Sequence, residues 1–153
     1  MVEELSKRVE LYISCRELTN LDGIFGKSDP YIVIKQFKPY SQNEFDVIGK
    51  TELIKNNLNP EFDPVKVKYF FEKQQRLHFE CFDSGKGGES FEMIGIFETT
   101  MAKICGSKGQ IVEGIFTMPD KEKERGKISI RAVTAGEGEA NPGKNPPKHP
   151  EPV

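Results

Sequence analysis

The sequence has no tryptophan and only two histidines, His78 and His149, in its 153 residues. Two histidines so far apart leave no histidine-based triad or zinc cluster. The glycine-rich motifs that bind nucleotide phosphates and dinucleotides are missing as well. We therefore predict that this protein is not an enzyme, and we assign no catalytic residue.

Long apolar runs and a charge imbalance are also missing. No window approaches 18 apolar residues, and the first ten residues, MVEELSKRVE, contain no apolar run of the secretory kind. The 22 basic residues are balanced by 24 acidic ones, so no strong overall field attracts nucleic acid. These features predict a cytoplasmic protein without a nucleic-acid partner.

Cysteine is scarce, with Cys15, Cys81 and Cys105 well separated along the chain. An odd count without close spacing does not suggest a disulfide framework or a metal site. Cys15 and Cys81 fall inside apolar strand patterns. We expect buried, reduced thiols of an intracellular protein.

Hydrophobic residues alternate with polar ones along most of the chain, which is the period of a half-buried strand. Eight such segments, separated by turn residues, predict an all-β fold, an eight-stranded antiparallel β-sandwich. A short helical turn is expected from Thr100 to Gly106. The predicted strands cover roughly residues 9–15, 31–38, 44–53, 65–69, 77–83, 91–100, 110–118 and 126–133.

The strand pattern ends near Val133, which suggests two regions. Residues 1–134 are predicted to form the sandwich. Residues 135–153 hold half of the ten prolines and show no hydrophobic periodicity. We expect them to be a disordered tail or an interdomain linker.

The stretch from Thr19 to Lys35 has an unusual composition for a loop between two strands. Asp22 and Asp29 lie at its base, while the apolar pair Ile24 and Phe25 lies at its tip between two glycines. Carboxylates suit a hard cation, and an apolar loop tip suits a membrane. An Asp before a proline can also cap a turn, and Phe25 can also fold back onto the domain.

A second acidic pair, Asp83 and Glu92, flanks the glycine-rich stretch SGKGGES. Loops from different hairpins gather at the ends of a sandwich, so the two acidic loops can converge. Calcium takes six to eight oxygen ligands and relieves the repulsion between clustered carboxylates. The pattern therefore predicts a calcium site.

The run LTNLDGIFGKSDPYIVI resembles the first calcium-binding loop of the C2 domain, a membrane-docking β-sandwich, and LHFECFD followed by FEMIGIF resembles its third loop. Within that family the copines are most similar, on the strength of YFFEKQQRLHFECFD, IGIFETTMAKICGSKGQ and GKISIRA. The resemblance covers roughly residues 8–134. Only eight residues precede VELYISC, so we expect this segment, which leads into the first loop, to be the first strand of the sandwich. This resembles the circularly permuted variant of the fold, called type II.

The resemblance implies Ca²⁺ as cofactor, with Asp22, Asp29, Asp83 and Glu92 as its ligands. Gly85 stands where the family usually has a second aspartate in this loop, and the first loop is about one residue longer than usual. A missing carboxylate removes a ligand and its charge, so we expect weak calcium binding or none at physiological levels. Glu89 is a substitute oxygen donor to consider.

The resemblance also implies a partner, an anionic phospholipid membrane rich in phosphatidylserine, with phosphoinositides as further candidates. Ile24, Phe25, Lys27 and Lys86 are the predicted membrane contacts, while Phe91 is expected in the core. A candidate anionic-lipid patch comprises Lys35, Lys66 and Lys68, on strands expected to be neighbours. The alternative for these lysines is a solvated face without a ligand.

Two functions follow from these expectations. The first is a calcium-regulated domain that is reversibly recruited to membranes. The second is a C2-fold module with weakened or lost calcium binding that acts as a calcium-independent scaffold for lipid or protein. Copines carry two such domains followed by a von Willebrand type A domain, so the chain is either a small stand-alone relative or the first part of a longer protein.

Overall fold

Two four-stranded antiparallel sheets make up this computed structural model, which describes residues 5–23, 26–85 and 91–134. The predicted contacts Ile24, Phe25 and Lys86, the candidate donor Glu89 and the predicted tail of residues 135–153 lie outside the described residues. All eight predicted strands are present, which confirms the all-β expectation. Their bounds are β1 Ser6–Arg16, β2 Pro30–Phe37, β3 Phe45–Lys50, β4 Val65–Phe70, β5 Arg76–Ser84, β6 Phe91–Thr100, β7 Ile111–Ile115 and β8 Lys127–Thr134.

The predicted helical turn is also present, as α1 from Met101 to Gly106. It begins where the Thr100 side chain accepts a hydrogen bond from the Lys103 N–H group at 3.1 Å, which satisfies one donor of the first turn. A short 3-10 turn follows at Lys108–Gln110. In the part of the chain that the structure describes, no helix is long and apolar enough to cross a membrane.

The strand order is β4-β1-β8-β7 in the first sheet and β3-β2-β5-β6 in the second. The strand that precedes the first loop, β1, pairs along its length with β8, from Val9 opposite Thr134 to Arg16 opposite Lys127. Among the described strands it is the first in chain order. Both sheets keep an open edge on one side of the sandwich, β4 in the first and β3 in the second.

The inner faces of the two sheets form the core, because alternate residues of each strand point inward. Leu11 and Ile13 of β1 are buried with Ile32 and Ile34 of β2 in a single cluster. Cys15 and Cys81 belong to the same cluster, as expected for reduced thiols in apolar strands. Together these contacts hold the inner faces of the two sheets against each other.

Gly95 is the point at which β6 meets the segment after β7. A Cβ atom added there would lie 2.6 Å from the Phe116 Cβ atom and 3.3 Å from the Phe116 carbonyl carbon. Ile96 and Thr117 exchange two backbone hydrogen bonds beside this contact. Only glycine fits, because any side chain would push two bonded strands apart.

We predict that Gly95→Ala lowers the free energy of unfolding by about 1 to 3 kcal/mol, the usual cost of overpacking a close contact. Gly106→Ala is the matched control, since a Cβ atom there would meet nothing within 4 Å. Urea denaturation followed by circular dichroism measures both variants. Equal stability of the two would show that the Gly95 contact is not a constraint.

Candidate functional site

Three described segments meet at one end of the sandwich: the first loop, the β3–β4 loop and the end of β5. The Ser84 N–H group donates to the Asp29 carbonyl at 3.0 Å, which joins the end of β5 to the end of the first loop. The Asn57 N–H group donates to the Ser28 carbonyl at 3.1 Å, which adds the β3–β4 loop. The candidate site therefore has a hydrogen-bonded base.

The described part of the first loop is held by the Asn20 side chain. Its amide donates to the Gly23 carbonyl at 3.1 Å and to the Gly26 carbonyl at 2.8 Å. Its oxygen accepts from the Asp22 N–H group at 3.1 Å. Both glycines have positive φ, 61° and 136°, which glycine adopts without a steric cost. One asparagine thus ties together both sides of the loop.

Ser28 fixes the same loop from inside the protein. Its buried hydroxyl accepts a hydrogen bond from the Leu21 N–H group at 2.8 Å. This bond satisfies a donor that the loop would otherwise leave unpaired. The position of Asp22, which follows Leu21, is set from this point.

Asp29 and Asp83 are direct neighbours across two strands. Asp83 is only 3% exposed, and its Oδ1 atom accepts a hydrogen bond from the Asp29 N–H group at 2.8 Å. The Asp29 Oδ1 atom in turn accepts from the Asn56 N–H group at 2.8 Å. Each carboxylate therefore uses one oxygen to hold the backbone, which leaves its other oxygen as the simplest metal donor.

Glu92 lies opposite Asp83 in the β5–β6 ladder and is exposed. Asp22 is partly buried in the first loop. No group of three or more His, Cys, Asp or Glu side chains with metal-binding geometry occurs within residues 5–23, 26–85 and 91–134. The structure thus brings Asp29, Asp83 and Glu92 to one region without closing a cage around them. Ligation by the four predicted residues stays a prediction.

Phe91 is exposed, so the expectation that it packs in the core is wrong. It is the first residue of β6, opposite Ser84, and 63% of its surface is exposed. Its ring meets the Tyr31 ring edge-on at 6.2 Å, and Tyr31 stacks on Phe82 at 5.6 Å. The three rings form an aromatic row on the outer face of the second sheet, at the candidate site.

Lys27 is the one predicted membrane contact that the structure describes, and it is exposed in the first loop.

Burial raises the pKa of the nearby Tyr31 hydroxyl, and the Cys81 thiol adds to this rise. Burial likewise raises the pKa of Cys81 well above its usual value, with a further contribution from the Cys15 thiol. At neutral pH both groups are uncharged, so the local charge comes from carboxylates and lysines.

The predicted lysine patch is divided by the fold. Lys35 lies on β2 of the second sheet, whereas Lys66 and Lys68 lie on β4 of the first sheet, so their strands are not neighbours. The Lys35 Nζ atom lies 2.8 Å from Oε1 of the buried Glu80, although the two are not aligned as a hydrogen bond. It also lies 4.3 Å from the centre of the Phe45 ring. The positive charge of Lys35 is thus partly neutralised by Glu80.

Comparison with known proteins agrees with the resemblance in the sequence. Residues 8–118 match the family described as the C2 domain. Copine-B of Dictyostelium discoideum is 40% identical over 136 residues, covering 84% of this chain and 25% of the copine. Copine-E of the same organism is 38% identical over 130 residues, covering 82% of this chain and 22% of the copine. The chain spans a quarter or less of the length of these curated relatives.

Solved structures show the same fold. The structure described as BON1-C2B has a TM-score of 0.61 at 24% identity and covers 84% of this chain and 92% of that chain. A C2 domain of plant Extended Synaptotagmin 1 has a TM-score of 0.60 at 17% identity, covering 88% and 98% respectively. The paired C2 domains of Extended-Synaptotagmin 2, in a calcium-bound structure, have a TM-score of 0.55 at 20% identity, covering 86% and 48%. At these identities the likeness concerns the fold alone.

We predict that Asp83→Ala lowers the free energy of unfolding by about 1 to 3 kcal/mol with calcium chelated, because the Asp29 N–H group loses its acceptor. Asp83→Asn keeps an oxygen in that position and is expected to stay within about 1 kcal/mol of the original stability. Urea denaturation in a chelating buffer distinguishes the two. If both variants unfold like the original protein, the hydrogen bond to Asp29 is not structural.

Proposed function

The chain belongs to the C2 domain family, and we propose that it is a cytoplasmic domain that docks reversibly on anionic phospholipid membranes through its first-loop end. Calcium and phospholipid binding are typical of this family. The observation that carries the proposal is the pairing of Asp29 with Asp83 beside the exposed ring of Phe91. An acidic pair that can hold a divalent cation, next to an exposed aromatic ring, suits a surface that offers both lipid phosphates and hydrocarbon.

The carboxylates of Asp29 and Asp83 would hold calcium, with Asp22 and Glu92 as further ligands. A bound divalent ion supplies positive charge at a place that is otherwise negative, and so attracts lipid phosphates. Without it, these carboxylates repel an anionic membrane. The switch is therefore one of charge sign, and it needs no large movement of the sandwich.

Calcium affinity is proposed to be low in the absence of membrane. Gly85 contributes no carboxylate, and Asp29 and Asp83 each have one oxygen already bonded to a backbone N–H group. Calcium takes six to eight oxygens, so lipid phosphates and water would complete the shell. Calcium and membrane would then bind together, each raising the affinity for the other.

Phe91 is proposed to enter the membrane interface, alongside the predicted contacts Ile24 and Phe25 and the lysines Lys27 and Lys86. A fully buried phenylalanine side chain contributes roughly 1.5 to 3 kcal/mol. Lysines near an anionic surface add about 1 kcal/mol each. Phosphatidylserine suits this combination, and phosphoinositides are a further candidate.

We predict that the protein sediments with phosphatidylserine vesicles in calcium and much less in chelator. Asp29→Asn is expected to abolish the calcium-dependent fraction, because it removes one of the two paired charges. Co-sedimentation measured by densitometry over a calcium series tests this.

The matched control is Asp46→Asn, which removes an exposed carboxylate at the far end of β3. It is expected to sediment like the original protein. Equal sedimentation of the original protein in calcium and in chelator would defeat the calcium switch.

We predict that Phe91→Ser weakens vesicle binding by about tenfold or more, since it removes a side chain whose burial is worth roughly 1.5 to 3 kcal/mol at about 1.4 kcal/mol per tenfold. Tyr40→Ser is the control, because Tyr40 is 81% exposed but lies between β2 and β3, away from the site. Partition coefficients from a lipid titration compare the two. Unchanged partition of Phe91→Ser would place the membrane contact elsewhere.

A second function is a C2-fold module that binds lipid or protein without calcium. Gly85 and the lack of a gathered three-carboxylate group among the described residues favour it. Calorimetric titration with calcium to millimolar levels, with and without vesicles, separates the two functions. Heat in neither titration would favour the calcium-independent module.

We further propose residues 1–134 as the folded unit and residues 135–153 as a tail or linker.

A further inference from the structure

A groove of about 450 Å³ runs between the open edges of the two sheets, and the docking function does not use it. Its floor is apolar, formed by Ile48 of β3 with Val67 and Phe70 of β4. Its rim is cationic and is formed by Arg8, Lys66 and Lys68. Gln36 completes the lining.

The walls of this groove are fixed by the fold. At one end Gly49 lets the two edge strands touch, since a Cβ atom there would lie 2.6 Å from Cγ1 of Val65. Near the other end the buried side chain of Gln75 accepts from the Phe70 N–H group at 2.8 Å and donates to the Lys68 carbonyl at 3.0 Å. The groove is therefore a formed feature of the sandwich.

The rim carries an excess of positive charge. Arg8, Lys66 and Lys68 are exposed, and no carboxylate of the described residues lies within ion-pair distance of them. Glu10, which faces Lys66 across the β1–β4 ladder, is engaged by the Tyr12 hydroxyl at 3.3 Å. Three cations and one acid thus line this part of a protein whose formal net charge is −2.

The spacing of these groups has the period of a strand. Lys66 and Lys68 are two residues apart, roughly 6.6 Å, and Val67 between them points to the interior. Arg8 lies opposite Lys68 on β1. We propose that this groove docks an extended acidic segment of a partner protein, whose carboxylates meet Arg8, Lys66 and Lys68 while the apolar residues between them lie on Ile48 and Phe70.

A protein segment fits this position better than a membrane does. Arg8 lies eight residues along β1 from Arg16, or about 26 Å from the loop end of the strand. Docking through the first-loop end, which is the proposed function and on which this step rests, would hold the groove clear of the bilayer. The Debye length at physiological salt is about 8 Å, much shorter than that separation. The attraction between Arg8 and an anionic bilayer at the loop end is therefore largely screened.

The test uses fluorescence anisotropy with a fluorescein-labelled six-residue peptide of alternating glutamate and leucine, in a calcium chelator. We expect binding that weakens severalfold as salt rises from about 0.05 to 0.3 M, because exposed charges are screened. The double variant Lys66→Glu with Lys68→Glu is expected to bind at least about tenfold more weakly, since like charges then face each other.

The matched control is Lys121→Glu with Lys123→Glu, which has the same spacing and charge change on an exposed loop away from the groove. It is expected to bind the peptide like the original protein. Ile48→Gln, checked for folding by circular dichroism, is expected to weaken binding without changing the salt dependence.

Three results would overturn the proposal. The first is that the protein does not bind the glutamate peptide. The second is that the two double variants lose peptide binding to the same extent. The third is that the protein binds a peptide of alternating lysine and leucine as tightly as the glutamate peptide. Calcium-free binding to phosphatidylserine vesicles that is lost in the Lys66 and Lys68 variant, with no peptide binding, would assign these cations to a membrane instead. None of these results affects calcium-dependent sedimentation, so failure here is distinguishable from failure of the docking function.

Discussion

The hydrogen bond from the Asp29 N–H group to the Asp83 carboxylate is the contact on which the candidate site depends. It joins the start of β2 to the end of β5, and the Ser84 N–H group strengthens the junction by donating to the Asp29 carbonyl. A buried carboxylate that holds a backbone donor is costly to lose. The same bond leaves each aspartate with one oxygen uncommitted to the backbone, so the constraint that builds the site also limits its capacity for calcium.

Much of the fold can be predicted from the sequence because strand alternation is a local property. Val9, Leu11 and Ile13 repeat with a period of two, and the structure confirms the strand that they predict. Proximity of Asp29 and Asp83 is predictable too, since the ends of hairpin strands gather at the ends of a sandwich. The hydrogen bond between Asp29 and Asp83 is not, because it depends on the register of β2 against β5.

Both wrong expectations concern strand pairing, which alternation alone does not give. Alternation tells which face of a strand is apolar, but it does not tell which sheet the strand joins. Lys35 and Lys66 are expected on neighbouring strands, yet β2 and β4 belong to different sheets. Phe91 has the pattern of a core residue because it opens an apolar strand, yet its ladder position opposite Ser84 leaves it at the rim. The first outcome follows from the sheet assignment of strands distant in sequence, and the second follows from the last pair of the β5–β6 hairpin.

The most direct test of calcium-linked docking is a calcium titration followed by amide chemical shifts in ¹⁵N-labelled protein, with and without phosphatidylserine bicelles. The account predicts shifts centred on the amides of Asp29, Asn56 and Ser84, at lower calcium when bicelles are present. The Asp29 and Asn56 amides donate to the carboxylates of Asp83 and Asp29, and the Ser84 amide donates to the Asp29 carbonyl, so all three report on this junction. Shifts that are absent, or that centre on residues far from this junction, would contradict the account.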